Sequence, residues 1–138
     1  MRYLGLDLGT KTLGIAISDS LGLIANPLKT IKYNTYEELL KEIRELIDNY
    51  KIAGIALGIP KNMDNSLGFA SQRSIEFKNF LEASISVPIT LVDERLSTVE
   101  AEKYLLDSDM SRKKRKDHID AVAASVILST FMRMKGIK

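Results

Sequence analysis

The sequence predicts an α/β protein built on a mixed five-stranded sheet with helices on both faces. Its first 31 residues contain three short apolar runs separated by turn residues, which is typical of an antiparallel meander. From residue 35 onward, runs with helical spacing alternate with strand-like apolar runs, which is typical of parallel strands joined by helices. The predicted order is therefore β-β-β-α-β-α-β-α-α, with three antiparallel strands before the parallel ones.

The N-terminal strands are predicted over residues 3–8, 12–18 and 23–31. A short connection that contains Gly9 joins the first two strands, as in a hairpin. Pro27 interrupts the third run, and because proline cannot donate to a ladder, this strand is expected at a sheet edge.

The rest of the chain follows the alternating pattern. Its predicted elements are, in order, a helix that begins after Thr35, a strand over 52–59, a helix over 68–82, a strand over 87–92, a helix from Ser97 to about Leu106, and a helix from Asp117 to about Met134. Thr35 and Ser97 each have a glutamate three residues later, which indicates capping boxes. No repeat or linker divides the chain, so residues 1–138 are expected to form a single domain.

Composition narrows the functional classes. The chain has 138 residues and no cysteine, which excludes disulfides, thiolate zinc sites and a cysteine nucleophile. No run approaches the roughly 18 apolar residues of a membrane span, and the N-terminus does not resemble a secretory signal. A cytoplasmic protein without membrane contact is expected. The net charge of +2 does not by itself point to nucleic acid, but five basic residues stand consecutively at positions 112–116.

Three acidic residues occupy unusual settings. Asp7 lies within an otherwise apolar strand, where an uncompensated charge costs several kcal/mol. Glu94 follows the last predicted strand, and sites in open α/β sheets collect at the carboxyl ends of strands. Asp120 precedes a run of small residues that would let its helix lie close to the sheet. The three carboxylates are therefore expected to converge.

Clustered carboxylates repel one another unless a cation neutralises them, and Mg²⁺ or Mn²⁺ prefers such oxygen ligands. A site of this kind suits phosphodiester hydrolysis, since bound metal can activate water without a histidine or cysteine nucleophile.

Each acid also has a purely structural interpretation. Backbone amides of the turn after Gly9 would satisfy Asp7, and a surface ion pair would explain Glu94. Asp120 would interact favourably with the dipole of its helix as a residue of the first turn. The conjunction of all three favours a site.

Donors that could hold phosphate surround these acids in the sequence. They are Thr10 and Lys11 in the first turn, Ser97 and Thr98 at a helix start, and the basic run of Arg112, Lys113, Lys114, Arg115 and Lys116. Turn and capping chemistry, or a solvated basic segment, would explain the same residues. The only histidine, His118, is expected to be a solvated residue at a helix start, with a role as general base as the alternative.

The chain closely resembles the YqgF/RuvX family, whose members are described as Holliday junction resolvases and as nucleases that mature the small-subunit ribosomal RNA precursor. The resemblance covers nearly the whole chain and is carried by four segments: LGLDLGTKTLGIAISD, LGIPKNMDNS, VDERLST and SRKKRKDHIDAVAAS. It implies a ribonuclease H-like fold with the first strand central.

The resemblance also implies a divalent-metal nuclease with Asp7, Glu94 and Asp120 as the acidic set, for which Mg²⁺ or Mn²⁺ is the expected ion. Arg95 is expected to hold the phosphate backbone together with Lys11 and the basic run. Related nucleases often carry an acid at the end of the fourth strand, but this chain has Gly58, Ile59 and Pro60 there. The middle ligand is then Glu94, with Asp93 or Asp64 as alternatives, and whether one or two ions bind stays open.

The predicted function is endonucleolytic cleavage of structured nucleic acid, most simply at the 5′ end of precursor 16S ribosomal RNA. The alternatives are a Holliday junction resolvase, a non-catalytic nucleic-acid-binding module and, from the DLGT turn, a nucleotide phosphotransferase. The last normally requires two lobes, which 138 residues do not supply. The expected partners are precursor RNA or branched DNA and the ribosomal small subunit, and the expected state is a monomer or a weak homodimer.

Overall fold

The computed structural model describes residues 1–60, 68–93 and 112–135. The elements, in chain order, are β1 (Arg2–Leu8), β2 (Thr12–Ser18), β3 (Ala25–Lys32), α1 (Tyr36–Tyr50), β4 (Ile52–Ile59), α2 (Phe69–Glu82), β5 (Ile89–Asp93) and α3 (Arg112–Met134).

The five strands form one sheet in the order β3-β2-β1-β4-β5. β1 pairs antiparallel with β2, and β2 pairs antiparallel with β3. β4 lies parallel to β1, and β5 lies parallel to β4. This arrangement confirms the predicted mixed sheet, with β1 at its centre and β3 at an edge.

Alternate residues of each strand face opposite sides of the sheet, and the two sides differ in chemistry. On one side, leucine and isoleucine side chains of β1, β2 and β4 pack against α1 and α2 around the fully buried Phe77. On the other side several residues are small, among them Gly5, Ala16 and Ala56, and α3 covers them. We call the second side the α3 face.

Several predicted boundaries differ from the structure. β3 spans Ala25–Lys32 rather than 23–31, and its ladder with β2 contains an irregularity between the partners of Ile15 and Ala16, next to Pro27. A bulge at this point lets the strand accommodate a residue that cannot donate to the ladder. β5 begins at Ile89, two residues later than predicted, and ends at Asp93, one residue later than predicted.

The last helix begins at Arg112, so the prediction that it starts after Asp117 was wrong. The preceding lysines and arginines are good helix formers, and they extend the helix through the basic run. The helix predicted over residues 97–106 lies outside the described residues.

Within the three described ranges, no helix is long and apolar enough to cross a membrane.

Candidate active site

Asp7 lies near the carboxyl end of β1, on the α3 face. Its neighbours Leu6 and Leu8 point to the opposite side, where both are buried in the core. Gly5, two residues earlier, faces α3 directly, so strand alternation places Asp7 on the same side. Asp7 is half-buried and has at least one interaction partner. The prediction that Asp7 is a strand carboxylate near the carboxyl end of β1 agrees with this position.

α3 lies unusually close to the sheet because glycines line its path. A β-carbon on Gly5 would lie 2.5 Å from the carbonyl oxygen of Ala124 and 2.7 Å from Cβ of Leu128. A β-carbon on Gly14 would overlap the backbone carbonyl of Asp120 and lie 2.9 Å from the amide nitrogen of Ala121. Real β-carbons are not found at these distances, so the helix can take this position only over glycine.

This approach brings Asp120 over β2. The hydroxyl of Thr12 donates a hydrogen bond of 2.8 Å to Oδ2 of Asp120, across 108 residues of sequence. This partly buried hydrogen bond restricts the orientation of the Asp120 carboxylate. Sequence reasoning missed Thr12, because nothing in a strand-start threonine identifies a partner so distant in the chain.

Asp7 and Asp120 share one neighbourhood because both adjoin Gly14. Asp7 is the cross-strand partner of Gly14 in the β1–β2 ladder, and such partners lie side by side on the same face. The backbone of Asp120 rests on that same glycine. Two of the three predicted site residues, Asp7 and Asp120, therefore lie next to the same glycine, near the carboxyl end of β1.

The third predicted carboxylate, Glu94, directly follows β5 and lies outside the described residues, as do Asp64, Arg95, Ser97 and Thr98. The alternative ligand Asp93 is described.

Asp93 pairs with Ile59, whereas Val92 packs with the residues of α3. Asp93 therefore faces away from Asp7, and the register disfavours it as the middle ligand. On β4, the residue beside Val92 is Gly58, which contributes no side chain to the site.

The β1–β2 turn carries two of the predicted phosphate contacts, Thr10 and Lys11, and both are exposed. The turn is held by a hydrogen bond of 2.8 Å from the amide of Gly9 to the carbonyl of Thr12. Tyr33 fixes it from outside, because its hydroxyl donates to the carbonyl of Gly9 at 2.6 Å and its amide donates to the carbonyl of Lys11 at 3.0 Å. Sequence analysis did not single out Tyr33.

Burial raises the pKa of the Tyr33 phenol above its usual value, the neighbouring Tyr36 adds to this rise, and Arg73 opposes it. The phenol therefore remains a donor to Gly9 through the neutral and mildly alkaline range. An unfolded tyrosine has a pKa of about 10. The stabilisation that the Tyr33 hydrogen bond gives to the folded state is therefore complete below that pH, and it is lost as the pH rises through the higher pKa of the folded state.

We expect Tyr33→Phe to lower the free energy of unfolding by about 0.5–1.5 kcal/mol, the usual net value of one hydrogen bond. Urea denaturation at pH 7 and at pH above 10 checks this, and the difference between variant and wild type should shrink at the higher pH. Tyr36→Phe is the matched control, since among the described residues no hydrogen bond is recorded for its hydroxyl and its ring contacts remain. An equal loss in both variants would contradict the role given to Tyr33.

The basic run, Arg112, Lys113, Lys114, Arg115 and Lys116, forms the first turns of α3. Arg112 and Lys116 lie eight and four positions before Asp120 in one continuous helix, so the backbone of the run lies about 6–12 Å along the helix axis from that of Asp120. His118 belongs to the same helical segment. The run is therefore joined to the acidic site by a regular helix.

The two described carboxylates suit a divalent cation. Asp7 and Asp120 contribute oxygen donors to the same face, and Thr12 orients one oxygen of Asp120. Oxygen ligands of this kind are preferred by Mg²⁺ and Mn²⁺. In the described part of the chain, no three acidic or histidine side chains form a metal-binding group.

A family model described as RuvX, Holliday junction resolvase, matches residues 1–134. The chain belongs to the RuvX family. The predicted family is thereby confirmed over nearly the whole length of the chain.

Named relatives and solved structures agree with this assignment. A protein of Halothermothrix orenii is 49% identical over 136 residues, which cover 99% of this chain and 97% of that protein. A protein of Bacillus subtilis is 48% identical over 134 residues, which cover 96% of this chain and 97% of that protein. Both are named "Putative pre-16S rRNA nuclease". The RuvC of T. thermophilus in complex with a Holliday junction substrate has the same fold, with a TM-score of 0.62 at 16% identity over 98% of this chain and 96% of that one.

The predicted ribonuclease H-like fold is confirmed, and the predicted class of enzyme, a hydrolase of nucleic-acid esters, agrees with these names.

Proposed function

We propose that this RuvX-family protein is a divalent-metal-dependent endonuclease that processes the 5′ end of precursor 16S ribosomal RNA. The observation that carries the proposal is the convergence of Asp7 and Asp120 on the α3 face, at the carboxyl end of β1. The nuclease names of relatives at 48–49% identity support the choice of ribosomal precursor RNA.

The roles of the residues follow from their positions. Asp7 and Asp120 would hold Mg²⁺ or Mn²⁺ together with Glu94, the ligand that family resemblance implies. When bound, such an ion supplies Lewis-acid polarisation of the phosphate and a water of lowered pKa. Thr12 keeps the Asp120 carboxylate in one orientation through its hydrogen bond. Lys11 and the basic turns of α3 would bind flanking phosphates by charge, as would Arg95, Ser97 and Thr98.

Resolution of Holliday junctions is the second candidate, and the description of the family model favours it. A junction is cut symmetrically and needs two active sites, whereas trimming of an RNA end needs one. We expect the protein to act as a monomer or weak homodimer, which fits RNA processing. The proposed compartment is the cytoplasm, with the ribosomal small subunit as the carrier of the substrate.

Incubation with labelled 5′-extended 16S precursor RNA and with a four-way DNA junction tests the assignment. We expect endonucleolytic cleavage of the RNA in Mg²⁺ or Mn²⁺, and loss of all cleavage after EDTA with recovery on addition of excess Mg²⁺. Cleavage of the junction alone would replace RNA processing with resolution. Salt-sensitive binding without cleavage of either substrate in either metal would indicate a non-catalytic binding module.

A further inference from the structure

Besides Lys11 in the β1–β2 turn, a second lysine, on the edge strand β3, lies near the acidic site. Lys32 is the last residue of β3, and its partner across the ladder is Thr12, the residue that donates to Asp120. Cross-strand partners have β-carbons about 4.5–5.5 Å apart on the same face. Ile31, the preceding residue, packs against the core on the opposite side. Lys32 therefore projects from the α3 face next to the Asp120 carboxylate.

The ammonium group of Lys32 is available to a ligand. The residue is exposed, and in the described part of the chain it takes part in neither recorded ion pair, Lys29–Glu42 or Lys78–Glu82. It forms no recorded hydrogen bond through its side chain with the residues that the structure describes. Among the residues that the structure describes, the Lys32 side chain thus has no partner with which a phosphate would compete.

Lys32 and Lys11 form a pair of exposed cations on either side of Thr12. Lys11 precedes Thr12 in the chain, and Lys32 faces it across the ladder. The amide of Tyr33, the next residue after Lys32, donates to the carbonyl of Lys11 at 3.0 Å, which ties the two backbone segments together. Two exposed lysines thus adjoin Thr12, the residue that orients the Asp120 carboxylate.

We propose that Lys32 binds a backbone phosphate of the nucleic-acid substrate next to the one that is cut, on the β3 side of the site. The inference rests on the proposed nuclease function and adds a contact to it. The sheet order places Asp7 on β1, Asp120 over β2 and Lys32 on β3, so a phosphodiester strand that continues from Asp7 past Asp120 towards the sheet edge reaches Lys32. The contact is by charge and sequence-independent, so it affects affinity and register rather than the cleavage chemistry.

A competing explanation is that Lys32 only protects the edge strand, since lysines on edge strands discourage pairing with other sheets. Lys29 serves as the matched control because it lies on the same strand, faces the opposite side and pairs with Glu42 at 2.7 Å. Protection of the edge would be affected by both substitutions, whereas phosphate binding would be affected only at Lys32.

The test measures binding rather than turnover. Fluorescently labelled 5′-extended precursor RNA is titrated with Asp7→Asn protein in Mg²⁺ over a range of KCl concentrations, alone and combined with Lys32→Met, Lys32→Arg or Lys29→Met. Loss of one phosphate contact should raise Kd about fivefold near 0.1 M salt and reduce the slope of log K against log salt by about 0.7–0.9. Lys32→Arg and Lys29→Met should retain the parent slope. In the protein with Asp7 intact, Lys32→Met should raise KM and leave kcat within about twofold.

The outcomes separate the two proposals. A parent slope in Lys32→Met, or an equal reduction in Lys29→Met, would overturn the role of Lys32 while leaving the nuclease assignment intact. Absence of salt-dependent RNA binding by the parent protein would overturn the proposed function itself, and the Lys32 contact with it.

Discussion

Asp7→Asn is expected to reduce Mg²⁺-dependent cleavage by at least about a hundredfold, because it removes a carboxylate charge from the centre of the site. Asparagine has nearly the same shape and can still accept hydrogen bonds, so the β1–β2 pairing around Gly14 should persist. The thermal midpoint of unfolding should therefore remain close to that of the wild type. Single-turnover cleavage of labelled precursor RNA, together with a thermal melt, measures both quantities.

Asp48→Asn is the matched control for this experiment. Asp48 is exposed on α1, which packs on the side of the sheet away from α3. The same chemical change there should leave cleavage unaffected. If Asp7→Asn cleaves at the wild-type rate, the assignment of Asp7 as a metal ligand is wrong.

Gly14→Ala is expected to cost both stability and activity. The added methyl group would overlap the carbonyl of Asp120, which is backbone and cannot turn aside as a side chain can. α3 must then move away from β2, at a cost of about 1–3 kcal/mol for overpacking. The movement also stretches the 2.8 Å bond between Thr12 and Asp120 and separates Asp120 from Asp7. Urea denaturation and single-turnover cleavage report the two effects.

Gly54→Ala provides the comparison. Gly54 lies on β4, on the α3 face, but the nearest atoms to its added β-carbon belong to the ring of Tyr3, at 3.1 and 3.3 Å. A side chain can shift by a few tenths of an ångström, so the loss of stability should be smaller and Asp120 should stay in place. Wild-type cleavage by Gly14→Ala would show that the close approach of α3 is not needed to position its carboxylate.

The order of strands and helices could be predicted because most of the described elements have a clear local signal. Thr35 begins α1 with a capping box, as expected, and the apolar runs of β1, β2 and β4 coincide with buried strands. The start of α3 could not be predicted in this way. Asp117 is a good capping residue, but the preceding basic residues also favour a helix, and the structure continues the helix back to Arg112.

Of the candidate site, the sequence predicted the charged residues but not the polar residues that position them. A carboxylate in an apolar strand identified Asp7, and a small-residue helix identified Asp120. Thr12 and Tyr33 act on residues 108 and 24 positions away, and only the folded sheet brings these partners together. Lys32 lies beside the site only because it pairs with Thr12, and the bulge in β3 sets this pairing. Sequence periodicity alone does not determine such a register.

The two glycines under α3, Gly5 and Gly14, also limit which substitutions the sequence can accept during evolution. At Gly5 and Gly14 the helix backbone occupies the volume that any larger residue would need. A mutation at either glycine cannot be rescued by trimming a neighbouring side chain, because most of the obstructing atoms are main chain. A larger residue at either position would fit only if the whole helix moved, and this movement would also displace the Asp120 carboxylate and the basic turns. Across homologous sequences, these glycines should therefore vary far less than the apolar residues on the opposite side of the sheet.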